Sequence, residues 1–322
     1  MLADFMSSDS DEWRGAKAQA TVQNPWFIPE FIDLAITNIT TQYLSEAALQ
    51  ELSENYNLPG HNHSPKKVGI VTAGNIPLVG FHDLLCTFLA GHYAYIKPSS
   101  KDEVLLEAIV KKLVEWSEEA ALYFTIGAML KGCDAYIATG SNNSSGYFEY
   151  YFKKYPHIIR KNRTSIAVLT GDETDKELEL LADDVYQFFG LGCRNVTKLF
   201  VPRDYNFERL LLIFGKYNFL SNHQKYKNNY DYNLAIHLLN HKYYMSNESL
   251  LLIEDSSPFS PISQLNYEYY TDIETVKNSV VQNDKIQCLV GRQAIVFGAA
   301  QRPGICDFAD GVDTMGFLTR LK

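Results

Sequence analysis

The sequence predicts an α/β protein with helices on both faces of mainly parallel sheets. Two observations carry this. Apolar runs of strand length alternate with longer runs of helical period from about residue 68 to 217. The run VGIVTA is a nearly continuous apolar stretch, as a buried strand of a parallel sheet requires. With 322 residues the chain suits two domains of ordinary size.

The elements follow in order. Residues 1 to about 25 read as loose or partly helical. The stretch 24–58 reads as two amphipathic helices, with Pro29 in a first-turn position. PGHNHSP at 59–65 is a polar breaker. VGIVTA (68–73) is a strand, PLVGFHDLLCTFLAG (77–91) a helix and YAYIKPS (93–99) a strand, which makes a βαβ unit. A helix covers 101–120, where Val104, Leu105, Ile109, Leu113 and Trp116 share a face. CDAYIATG (133–140) is a strand and 141–156 starts as a helix. The alternation continues through strands at 165–171 and 196–202 and helices at 173–190 and 205–217.

Composition narrows function. The net charge is −9, which argues against nucleic acid, because phosphate backbones need a basic face. The five cysteines are widely spaced with no C-x-x-C pair, which disfavours a metal site and a disulfide framework. The polar, acidic start does not read as a secretory signal, and no apolar run nears the ~20 residues of a membrane span. A cytoplasmic protein is expected.

Four segments carry residues suited to chemistry. In FFGLGCRN (188–195), Cys193 follows a Gly-Leu-Gly turn that lets a substrate approach the backbone. By itself it reads first as a small apolar residue at a helix–strand junction, and the neighbouring motifs shift that reading. In TAGNIP (72–77), Asn75 sits where a strand ends; its amide suits a developing oxyanion or a helix cap. In IKPSS (96–100), Lys97 ends a strand, as a phosphate or ribose ligand or as an exposed lysine. In ATGSNNSSG (138–146), Gly140 and Ser141 precede a helix start that can bind phosphate, without the Gly-Lys-Ser/Thr of a Walker loop. His82 and Asp83 lie inside a predicted helix, where a buried pair is favoured over a relay. Lys153, Lys154, His157, Arg160, Lys161 and Arg163 form the strongest basic cluster, read first as a solvated face.

Taken in order, these segments resemble the aldehyde dehydrogenase superfamily. AGNIPLVGFHD, ATGSNN, YFEYYFKKYPHIIRKNR, FFGLGCRN, HQKYKNNYDYN and FADGVDT resemble more closely the acyl-CoA reductases that include the fatty acid reductase of bacterial bioluminescence. The resemblance covers roughly residues 24–318. It implies an aldehyde dehydrogenase-like fold, with a Rossmann-like NAD(P)-binding domain at 1–162 and an α/β catalytic domain at 163–322. It implies that Cys193 attacks an acyl-CoA or acyl-protein thioester, that Asn75 and the Cys193 backbone amide hold the oxyanion, and that hydride from NADPH or NADH releases a fatty aldehyde. Thr72, Lys97, Ser99, Ser100, Gly140 and Ser141 would contact the cofactor.

Three departures refine it. The superfamily's water-activating glutamate segment matches HIIRKNRTSIAVL (157–169), which has no acid. That favours reduction over hydrolysis. The acid that meets the adenosine ribose is replaced by Ser100, followed by Lys101, which suits a 2′-phosphate. EDSSPFSP (254–261) has serine where the superfamily carries a glutamate before Gly-Pro, so the nicotinamide-ribose contact stays unassigned. The alternatives are a cysteine acyltransferase or thioesterase without hydride transfer, and a non-catalytic acyl-carrier-binding subunit. A homo-oligomer or an acyl-transferring partner is compatible with either.

Overall fold

The computed structural model describes residues 1–58, 60–281 and 283–321. Pro59 of the polar breaker lies outside them. The chain divides into two compact units, one of residues 1–162 with the segment from 303 onward, the other of residues 163–302.

In the first unit, strands β1 (Lys67–Val71), β2 (Tyr93–Lys97), β3 (Phe124–Ile126), β4 (Ala135–Thr139) and β5 (His157–Arg160) pair in the order β3-β2-β1-β4-β5. Every pairing is parallel. This is the doubly wound order, and the reversal falls at β1. The strands are apolar because both faces are covered: Val68, Ile70, Ala94, Ile96 and Ile137 are buried.

Helices α1 (Leu2–Met6), α2 (Asp11–Gln23), α3 (Pro29–Gln42) and α4 (Glu46–Tyr56) precede the sheet. Of the loose or partly helical start, the first two bear out the helical reading and show it packed. Phe5, Met6 and Trp13 are buried, and the Trp13 indole donates to Met6 O at 2.7 Å. Pro29 opens α3 as expected. Between the strands lie α5 (Phe81–Leu89), α6 (Val104–Trp116), α7 (Ala120–Tyr123) and α8 (Asn142–Phe152). Helix α5 begins four residues later than the sequence suggests. Leu78 takes a left-handed φ of 56°, so residues 75–80 form a turn.

The second unit carries β6 (Thr164–Val168), β7 (Val196–Val201), β8 (Met245–Ser246), β9 (Leu251–Glu254), β10 (Gln264–Tyr269) and β11 (Ile286–Val290), in the order β11-β6-β7-β10-β9-β8. The β8–β9 pair is antiparallel and the other pairs are parallel. Its helices are α9 (Asp175–Tyr186), α10 (Phe207–Phe214), α11 (Gln224–Leu239) and α12 (Ile273–Val281). Helix α9 opens on a complete capping box of Thr174 and Glu177.

The segment from 303, expected in the second domain, packs with the first unit. Ile305, Phe308, Met315 and Leu318 join that unit's core; the last two lie on α13 (Thr314–Thr319). Thr314 also accepts from Arg160 Nη2 at 2.8 Å. Arg160 is therefore no part of a solvated basic face. It is buried at the end of β5 and holds Asp83 of α5 through contacts of 2.6 and 2.9 Å. Removing one member of such a pair costs about 3–5 kcal/mol, because the other charge stays buried.

Candidate active site

The register of the first sheet sets one group of candidates. Val71 of β1 stands level with Lys97 of β2 and Ala138 of β4. The Asn75 turn, the Ser99–Ser100 loop and the Gly140–Ser141 turn therefore leave the same sheet edge, around the point where strand order reverses. Ligands of open α/β sheets bind there.

Two of these segments touch directly. A Cβ on Gly74 would lie 2.5 Å from Ser99 Oγ, so only glycine permits this approach. Thr72 is buried behind them, where its Oγ1 accepts from the Ser99 N–H at 3.3 Å and its methyl packs on Gly80. Thr72 thus shapes the loop rather than presenting a free hydroxyl. Asp102 is buried, with its carboxyl against the backbone N–H groups of Leu78 and Val79. Burial pushes its carboxyl well above the usual range, against the opposing pull of those two groups.

The outer residues suit an anionic ligand. Lys97 and Ser100 are exposed and Ser99 and Asn75 are half-buried. Ser141 caps α8, its Oγ accepting from the Ser144 N–H at 3.3 Å. A Cβ on Gly140 would meet Phe148 Cε2 at 2.8 Å, so the first turns of α8 press on the strand end. Such a helix start is of the kind that can bind a phosphate. The nearby acids are engaged: Asp102 faces inward, and Glu103 Oε1 accepts from Gln23 Nε2 at 2.7 Å.

Cys193 belongs to the second unit. It lies in the loop before β7 and is partly exposed, as is Cys306; Cys86, Cys133 and Cys288 are buried. Burial pushes the Cys86, Cys133 and Cys306 thiols up, away from the reactive thiolate. The backbone before Cys193 is strained. Phe188, Phe189 and Gly190 are consecutively left-handed, with φ of 54°, 57° and 72°. Each such non-glycine residue costs on the order of 1–3 kcal/mol and persists only where its surroundings enforce it.

Asn195 does the enforcing. It is fully buried; its Oδ1 accepts from the Gly192 N–H at 2.8 Å, and its Nδ2 donates to Gln187 O at 2.8 Å and Asp184 O at 3.1 Å. Sequence reasoning passed over Asn195, although a buried amide two residues after a turn cysteine is a signal in kind. Ser165 Oγ donates to Cys193 O at 3.0 Å, beside a register shift between β6 and β7. Arg194, the next residue, has its Nη1 3.3 Å from Cys288 Sγ and 3.4 Å from Ala300 O. Asp184 was also missed. Its carboxylate accepts from the Gly298 and Ala300 N–H groups at 2.7 and 3.0 Å, yet burial raises its pKa to about 7.

A model of the acyl-CoA reductase (LuxC) family matches residues 47–208, half of the chain. The chain belongs to that family. The matched acyl-CoA reductase span holds Asn75, Lys97, Gly140, Ser141 and Cys193; α1 to α3 and β8 to β11 lie outside it.

Solved structures extend the fold relationship over more of the chain. Aldehyde dehydrogenase 21 from Physcomitrella patens, in complex with the reaction product succinate, matches at TM-score 0.64 and 12% identity over 90% of this chain and 71% of its own. A Mycobacterium tuberculosis aldehyde dehydrogenase complexed with NAD+ matches at TM-score 0.59 and 13% identity over 85% and 68%. Succinic semialdehyde dehydrogenase from Streptococcus pyogenes, complexed with NADP+, matches at 0.62 and 12% over 90% and 74%. This acyl-CoA reductase family member thus has the aldehyde dehydrogenase fold. No curated protein matches the sequence. Among the described residues no helix is long and apolar enough to cross a membrane, and no group of three or more His, Cys, Asp or Glu is placed to hold a metal ion.

Proposed function

We propose that this chain reduces long-chain acyl thioesters, on CoA or on a protein, to fatty aldehydes through an acyl-Cys193 intermediate. The observation that carries the reading is the partly exposed Cys193, on a loop of enforced left-handed backbone, in a chain of the acyl-CoA reductase family. The Cys193 thiolate attacks the thioester carbon; the carbon–sulfur bond to the carrier breaks, and the carrier thiolate leaves. The Asn75 amide and the Cys193 backbone N–H donate to the oxyanion. Lys97, Ser99, Ser100, Gly140 and Ser141 hold a nicotinamide dinucleotide, with Thr72 behind them as a loop support. Such a cofactor would supply a hydride to the acyl carbon; the Cys193 sulfur is then the leaving group, returning as the thiolate while the aldehyde departs. Ser100 and Lys101 favour NADPH over NADH. The stretch 157–169 offers no acid to activate water, which keeps the acyl-enzyme for reduction.

The test is intact mass after mixing the protein with a long-chain acyl-CoA and no nicotinamide, followed by peptide mapping. An acyl adduct on Cys193 that NADPH discharges as aldehyde is the expected result. An adduct that water discharges equally fast makes the protein a thioesterase. No adduct with any chain length moves the non-catalytic carrier-binding subunit ahead.

A further inference from the structure

The Asn75 turn and the loop after β2 are joined by more than contact. The buried Asp102 carboxyl lies against the Leu78 and Val79 N–H groups of the turn, while the Asp102 N–H donates to Ser99 O at 2.9 Å. One residue therefore grips both segments. Leu78 is the left-handed residue of the turn, a conformation that needs an external hold. Asn24, buried just beyond α2, adds a second grip. Its Nδ2 lies 3.4 Å from Gly74 O and 3.3 Å from Lys101 O, and its Oδ1 accepts from the Trp26 N–H at 3.2 Å. Beside it, Gln23 Nε2 donates to Ser100 O at 2.8 Å.

The choice of an acid at 102 is costly. Its Oδ1 is buried with no hydrogen-bond partner, so an apolar residue would fit the core at lower cost. Such local violations are expected where a site needs them. We propose that Asp102 and Asn24 are positioning residues that lock the Asn75 turn to the 97–101 loop, so that the oxyanion donor and the cofactor-binding loop are held as one piece. The catalytic half of this rests on the role given to Asn75 above.

Two measurements on the full chain test it. The first is hydrogen exchange of Asp102→Ala and Asn24→Ala. Peptides covering 72–80 and 97–103 should both lose protection while the rest of the chain keeps it. Unchanged protection in either peptide overturns the lock. The second is a double-mutant cycle on the rate of Cys193 acylation by a long-chain acyl-CoA, without nucleotide. Asp102→Ala should slow acylation about tenfold, as loss of alignment does. In an Asn75→Ala background it should slow it by less than about twofold, because the group it aligns is gone. Losses that multiply in full mark a merely structural residue and overturn the proposal. Where Asp102→Ala does not fold, Asn24→Ala takes its place in the cycle. A wild-type protein that never acylates ends the proposed function and with it the catalytic half, and exchange alone then decides the lock.

Discussion

The Asn75 turn leaves β1 at the C-terminal edge of one sheet, whereas the Cys193 loop enters β7 at the N-terminal edge of another. Both contain non-glycine residues in left-handed backbone. The Cys193 loop is held from within: Asn195, two residues on, bonds Gly192, Gln187 and Asp184. The Asn75 turn is held from afar, by Asp102 and by Asn24, which reaches Gly74 from fifty positions away in the chain. A locally stapled loop is nearly complete as a sequence word. A remotely held turn depends on the whole unit being folded.

The largest effect that can break this comparison lies at the nucleophile. Cys193→Ala should lower reductase turnover by at least about 10³-fold while thermal stability changes little, because the side chain is small and partly exposed. Full retained activity would sink the mechanism.

Next comes the staple. Asn195→Ala strands the Gly192 N–H and several carbonyls in a buried place. A loss of about 2–4 kcal/mol in urea unfolding is expected, with Cys193 alkylation altered in rate. If stability is unchanged, the left-handed loop is not held by Asn195.

Ser100→Glu sharpens the reading of the cofactor loop. A carboxylate there should raise the KM for NADPH about tenfold relative to NADH, through repulsion of the 2′-phosphate. Equal changes for both nucleotides would mean that Ser100 does not face the ribose.

The smallest effect concerns pH. The Asp184 carboxyl is raised by burial from the usual 3.8 to about 7 when folded. The folded state therefore binds this proton more tightly than the unfolded chain. The associated stability is full below pH 3.8 and is lost as pH rises through about 7. Asp184→Asn should flatten that part of the melting-temperature profile between about pH 4 and 7. A profile with unchanged slope would place the titration elsewhere.

β1, β2, β4, β6 and β7 were legible, and burial on both faces leaves an apolar run in β1, β4 and β6. β8 to β11, beyond the alternation that ends near residue 217, were not legible, and neither were two strands before it. β3 has only three residues, and its Thr125 is exposed. β5 carries histidine and arginine, which read as solvated until Asp83, 77 positions away, is seen to neutralise Arg160 in the core. The packing of α1 and α2 was missed for a related reason. A polar, acidic stretch hides Phe5, Met6 and Trp13, whose burial needs partners elsewhere in the unit.

By itself the sequence determined the α/β alternation, the turn glycines and the segments carrying Asn75, Gly140–Ser141 and Cys193, because period, turn chemistry and motif order are local properties. The tertiary structure alone decided that the chain from 303 returns to the first unit, that Arg160 is buried, and that Asn24, Asp102 and Asn195 hold the loops. Each of those depends on which distant group a buried polar atom meets, and a buried polar atom must meet one.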